Sequence, residues 1–295
     1  MNDFILACAT TADMPKAFFK ERDIKYLYFH FLLDDKQYDD DFGESYPFSD
    51  FYQRIADGGM PTTCQINVDE HMEFFEKYLK DGKDILFISL SSGISGSFNS
   101  CQIAARELSE KYPDRKILVV DSLAASSGYG LFVKKIADLK DEGKSIDEVY
   151  NWAEDNKLNV HHWFFTSDLT HLKRGGRVSS ASALLGSLLG ICPLLNVSFE
   201  GKLEARKKIR GKKTVIKEIV ATMEEHAKGG ASYNGECFIS HSDCIEDAKA
   251  VKDLVEERIP ALKGKVLIND IGAVIGSHTG RGTVALFYMG DKRID

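Results

Sequence analysis

No two of the six cysteines stand as a CxxC pair. Cys8, Cys64, Cys101, Cys192, Cys237 and Cys244 are spread over 295 residues. That spacing excludes a zinc-ribbon motif and a compact disulfide scaffold, and makes a reducing cytoplasm the simplest setting. A basic excess is missing as well. Lys+Arg 38 against Asp+Glu 45 leaves a formal net charge of -7, which argues against binding along a nucleic-acid backbone. There is no long apolar run. The most apolar stretch, residues 181–197, is broken by Gly186, Gly190, Pro193 and serines. It falls short of the roughly 20 apolar residues of a membrane span and reads as a buried helix followed by a strand, without stable membrane insertion. The opening Met1-Asn2-Asp3-Phe4-Ile5 lacks the basic-then-apolar order of a signal peptide. Several catalytic signatures are absent too: a GxSxG elbow, and a GxGxxG after the first strand. Gly211-Lys212-Lys213-Thr214 has Arg206 where a phosphate loop needs its leading Gly. His161-His162 have no Cys or carboxylate at metal spacing and read as strand residues, so no metal is expected.

What remains is an ordinary globular composition, 43% apolar and 28% charged, long enough for two domains. Short apolar runs at 4–8, 25–32, 84–90, 116–121 and 162–166 read as strands. Amphipathic stretches at 47–56, 69–80, 96–111 and 124–141 read as helices, and Asp69 is the expected N-cap of the second. Phe98, Cys101, Ala105 and Leu108 make a helical stripe. This alternation predicts an α/β domain with a largely parallel sheet. Beyond residue 166 the pattern changes to a hairpin at 194–199 and 202–208, then helix 214–228, strand 236–240, helix 244–258, and strands 265–269 and 283–288. A second α/β domain with a mixed sheet is expected. The boundary is placed near 162, giving domains 1–162 and 163–295. The acidic segment 34–44 reads as a solvated loop.

Four segments suggest chemistry. Ser91-Ser92-Gly93-Ile94-Ser95-Gly96-Ser97 joins a strand to a helix, where free N–H groups and the helix dipole favour an anion; it also reads as a serine cap and turn. Pro61-Thr62-Thr63-Cys64-Gln65 offers two hydroxyls and an amide to a carboxylate, or is an ordinary loop. Ile275-Gly276-Ser277-His278-Thr279-Gly280-Arg281-Gly282 reads as a glycine-framed loop, and its His can donate a hydrogen bond or act as acid or base. Leu172-Lys173-Arg174-Gly175-Gly176-Arg177-Val178-Ser179 is a basic turn whose guanidiniums can grip a carboxylate or phosphate. A further basic cluster runs from Arg206 through Arg210 to Lys213; it is a partner surface or a solvated hairpin end.

Together with Ala9-Thr10-Thr11-Ala12-Asp13 and Val120-Asp121-Ser122, these segments resemble, in order and over nearly the whole chain, the DegV family of bacterial fatty-acid-binding proteins. The resemblance implies two α/β domains with a long-chain fatty acid held between or within them, no cofactor and no catalytic residue. It implies that hydroxyls of the Thr-rich and Ser-rich segments hold the carboxylate near the His, which maps onto Thr62, Thr63, Ser92, Ser95 and His278. Some members present the bound acid to a separate ATP-dependent fatty acid kinase, which makes an acyl phosphate. Arg174, Arg177, Arg206 and Arg210 are then candidates for kinase or phosphate contact. Cys64, Ile66 and Arg281 depart from the usual Ser, Pro and Pro, and no function is carried onto residues 9–13. Burying about fourteen methylenes at roughly 0.8 kcal/mol each sets an upper bound on the order of 11 kcal/mol for tail binding. Ala183, Leu184, Leu185, Leu188, Leu189 and Ile191 are candidate tunnel walls, or ordinary core. The competing readings are a serine hydrolase or acyltransferase pairing Ser91, Ser92 or Ser95 with His278, with Asp270 close along the chain, and a binder of phosphorylated metabolites.

Overall fold

The computed structural model describes residues 4–167, 169–178 and 190–294. The expected tunnel-wall residues Ala183, Leu184, Leu185, Leu188 and Leu189, the turn residue Ser179 and the helix expected at the start of 181–197 lie outside these.

Both expected sheets form. The first has the order β2-β1-β6-β7, with β1 Phe4–Ala9, β2 Lys25–Leu27, β6 Asp84–Ser89 and β7 Ile117–Asp121, all parallel. Its central strands β1 and β6 are buried on both faces because helices cover both. Ile5, Ala7, Ile85 and Phe87 pack under the helices Val68–Lys80 and Ser97–Lys111. Leu6, Cys8, Leu86 and Ile88, one residue out of phase, face the helix Ser126–Asp141. The second sheet is mixed, with the order β10-β9-β8-β13-β11-β12. Here β8 is Val160–Thr166, β9 Ile191–Val197, β10 Leu203–Arg210, β11 Cys237–His241, β12 Leu267–Asp270 and β13 Thr283–Met289. Trp163, Phe165, Leu194, Ile239, Leu286 and Tyr288 pack against the helices Lys212–His226 and Ile245–Arg258. The alternate residues Phe164, Leu195, Val197, Phe238, Ala285 and Phe287 turn the other way and join the core that holds Ser126–Asp141. That helix therefore lies between the two sheets. Arg293, 5% exposed, ties them further. Its guanidinium donates to Val197 O at 2.9 Å and Ser198 O at 2.8 Å beside the second sheet, and to Leu123 O at 2.9 Å beyond β7 of the first.

A third, antiparallel sheet was not expected from the sequence. It runs β4-β3-β5, from β3 His30–Leu33, β4 Lys36–Asp39 and β5 Thr62–Cys64. The apolar run at 25–32 is thus two strands in different sheets; a continuous run does not show where its hydrogen-bonding partner changes. Segment 34–44 is not simply a solvated loop, since it contains β4 and, next to it, the buried Asp40. The helix Val68–Lys80 is capped by Asn67, not Asp69: Asn67 and Glu70 close a reciprocal capping box. The glycine-framed segment is no loop up to Thr279, because Ala273–Thr279 is helical. The basic turn begins as a helix, Thr170–Gly175, ended by Gly176 in the left-handed region.

Candidate functional site

The Ser-rich segment leaves the carboxyl end of β6. Ser91, fully buried, donates to Gly201 O at 2.8 Å and accepts from Gly93 N at 3.1 Å. It thereby pins the segment to the β9–β10 turn. Ser95 accepts from Ser97 N at 3.2 Å, which leaves its hydroxyl proton free to point outward. Ser92 is exposed, and the Asp121 carboxylate accepts from its backbone N–H at 3.1 Å.

On β5 the side chains alternate. Thr62 and Cys64 are exposed and Thr63 turns inward. Thr63 Oγ1 lies 2.8 Å from His278 Nε2, joining positions 215 residues apart. The opposite edge of the imidazole stands against the helix Thr170–Gly175. A Cβ at Gly175 would lie 2.7 Å from His278 Nδ1, so only glycine leaves room there. This is one structural use of the Arg-Gly-Gly-Arg segment. Burial, and secondarily the charge of Arg177, push the His278 imidazole down to about 4, so it is neutral at pH 7.

Thr63, Ser95, His278 and Arg177 share the lining of one cavity of about 230 Å³, with Gln65 beside them. Arg177 is exposed, its guanidinium donating to Gly175 O at 2.8 Å, which marks this end as the mouth. The remaining wall is mainly apolar. Leu90 and Ile94 come from the first lobe, Phe164, Val197, Leu203, Ala285 and Phe287 from the second sheet, and Val274 and Ile275 from the His278 helix. Three polar wall residues had no local signal in the sequence. Ser126 opens the central helix with φ 54° and donates to the Asp13 carboxylate at 2.5 Å. Thr283 donates to Thr279 O at 3.0 Å. His162 lies 2% exposed against the helix, and burial pushes its imidazole well down.

Thr62 and Ser92 lie outside the lining. Arg174 is exposed in the last turn of its short helix. Arg206 sits at an irregularity of register on β10, donates to Asn196 Oδ1 at 2.9 Å and pairs with Glu204. Arg210 is exposed at the far end of β10, about 23 Å along the strand from the cavity residue Leu203 at ~3.3 Å per residue. A Ser–His–carboxylate relay is not assembled. His278 bonds Thr63, its Nδ1 has no hydrogen-bond partner among the described residues, and Asp270 lies instead beside His241 at 3.5 Å. His161 and His162 are strand residues, as expected. Among the described residues no helix is long and apolar enough to cross a membrane.

The family model described as "Uncharacterised protein, DegV family" matches residues 8–291. A DegV domain-containing protein of Clostridium perfringens is 42% identical over 293 residues, covering 99% of each chain. Among solved structures, a DegV family protein from Thermus thermophilus described by its fatty-acid binding superposes with a TM-score of 0.86 at 28% identity, over 98% of this chain and 99% of that one. A fatty-acid-binding DegV family protein from Streptococcus agalactiae gives 0.85 at 27% identity, over 99% and 100%.

Proposed function

The chain belongs to the DegV family, and from that premise we propose that it is a carrier, not an enzyme, for a long-chain fatty acid. One observation carries this reading: a largely apolar cavity between the lobes opens at a cluster of Thr63, Ser95 and His278. An alkyl tail needs apolar walls and no polar partner. A carboxylate needs donors, since an unpaired charge at the edge of an apolar cavity is costly. With His278 Nε2–H donating to Thr63 Oγ1, the Thr63 hydroxyl is free to donate to the carboxylate, and Ser95 supplies a second O–H. Because the imidazole is neutral at pH 7, it brings no desolvated charge of its own into the wall.

The test is native mass spectrometry of the purified protein, followed by solvent extraction and lipid identification. A stoichiometric long-chain fatty acid is expected. A protein that is empty and fails to take up added palmitate overturns the reading.

The location of the carboxylate end supports a further part of the proposal: the bound acid is presented to a separate ATP-dependent kinase for acyl phosphate formation. Arg177 stands at the mouth with the exposed Arg174 three residues before it, and Arg206 and Arg210 on the edge strand β10 offer a docking surface. Arg210→Ala should leave palmitate binding unchanged and slow kinase-dependent phosphorylation; an unaltered rate removes β10 from that surface.

A further inference from the structure

Asp13 ends the opening segment 9–13, onto which the resemblance carried no function. It is 7% exposed, with φ 45° in the left-handed region. Its Oδ1 accepts from Gly272 N at 3.0 Å and its Oδ2 from the Ser126 hydroxyl. Asp40, 3% exposed beyond β4, accepts from Ala273 N at 3.1 Å. The two carboxylates converge: Asp13 Oδ1 and both oxygens of Asp40 lie within 3.1 Å of the point where a Cβ on Gly272 would sit.

Gly272 and Ala273 are the N-cap and first residue of the helix Ala273–Thr279. That helix has seven residues and no side-chain cap of its own at Gly272. Helices so short do not hold themselves in water, and their first N–H groups have no partner within the helix. Here two carboxylates, 259 and 233 residues away in sequence, supply the partners. Tyr52 donates to Ile271 O at 2.7 Å and fixes the residue just before. At the other end of the helix stands His278, against Thr63 and Gly175. Asp13 also holds Ser126 in the cavity wall.

We propose that Asp13 and Asp40 are positioning residues for His278: they fix the first turn of its helix from outside the cavity, and so set the imidazole against Thr63 at the mouth. This rests on the reading of Thr63, Ser95 and His278 as the carboxylate end.

The experiment uses the full chain with isotope-labelled histidine, the His278 imidazole signals being assigned by their loss in His278→Gln. In ligand-free Asp40→Ala, the His278 signals should shift, and the dissociation constant for palmitate should rise about tenfold while cooperative unfolding is retained. Asp40→Asn keeps an acceptor oxygen for Ala273 N. It should restore the wild-type signals and bring palmitate affinity to within about threefold of wild type. A folded Asp40→Ala protein with unmoved His278 signals overturns the proposal. If Asp40→Ala does not fold, Asp13→Gly, which removes the acceptor and tolerates the left-handed backbone, is read in its place: shifted signals support positioning and unmoved signals overturn it. Normal palmitate binding by His278→Gln refutes the carboxylate reading, while the ligand-free signals still decide the positioning.

Discussion

Two hollows flank the helix Ala273–Thr279, and they differ in charge: among the described residues, the lining of one holds no carboxylate and that of the other holds four. The first, about 230 Å³, is lined mainly by apolar side chains of both lobes and by His278. The second, about 320 Å³, carries Asp13, Asp40, Glu44, Asp270 and Lys16 among apolar side chains such as Phe42; Lys16 pairs with Glu44 at 2.6 Å. A hollow's size therefore says little about its use. The apolar one can reward an alkyl tail with burial. In the acidic one, Oδ1 of Asp13 and Oδ1 of Asp40 each accept from a backbone N–H of the helix's first turn. The helix between them faces both: Val274, Ile275, His278 and Thr279 look into the first, and Gly272 borders the second.

The contrast is broken most severely by moving acid into the apolar hollow. Val197→Asp places a carboxylate at a site 2% exposed, and should cost about 3 kcal/mol of stability because the charge leaves water for a mainly apolar wall. Urea unfolding measures the loss, and palmitate uptake should vanish with it. Stability and uptake close to wild type would mean that the wall is not an apolar one.

Next in size is the pH response, where the two hollows should act with opposite sign. Burial pushes the Asp40 carboxyl up to about 7, so between about pH 4 and 7 the native state keeps a proton that the unfolded chain releases. The stability from Asp40 is complete below the unfolded value and is lost as pH rises through about 7. The His278 imidazole, pushed down to about 4, does the reverse. Its contribution is present above the unfolded value near 6.5 and is lost as pH falls toward 4. Relative to wild type, Asp40→Asn should therefore gain on the order of 2 kcal/mol in going from pH 5 to pH 8, and His278→Gln should lose about as much. Denaturant titrations at the two pH values check both signs. Parallel shifts in the two variants would erase the contrast.

Gly175→Ala sharpens the comparison at the mouth alone. Its methyl would crowd His278 Nδ1 at 2.7 Å, and palmitate affinity should fall about tenfold, or about 1.4 kcal/mol, with little change in unfolding midpoint. Affinity unchanged in titration calorimetry would separate the imidazole from the ligand. Smallest of all, Thr62→Ala and Ser92→Ala, both exposed and outside the lining, should alter palmitate affinity less than twofold. A larger loss would extend the site beyond the cavity.

The two main sheets were legible because their strands are short apolar runs bounded by turns, and the site helix after β6 because a serine-glycine stretch marks its start. Thr63, Ser95 and His278 were legible as residue types in suggestive segments, but the sequence did not distinguish Thr63 from Thr62, since that needs the alternation of a three-residue strand. The helix Ile146–Asn156 was missed although Ser145 and Glu148 carry its capping box in plain view. The helical state of residues 273–279 was not readable locally. Its caps come from Asp13 and Asp40, and in the sequence these are one acid in a turn and another in an acidic stretch. The short third sheet was hidden for a similar reason, as β5 finds its partner β3 about thirty residues away.

Arg293 has a consequence for the order in which the molecule is made. Its guanidinium joins carbonyls 96 and 170 residues distant, and burial leaves it still cationic, pushed down only to about 10. Contacts that close such long stretches of chain form after local ones. The hollow between the sheets is therefore walled only where segments distant in sequence have met. A lipid that binds only that closed form stabilises it, the more so the higher its concentration, and so helps set how long the finished protein lasts.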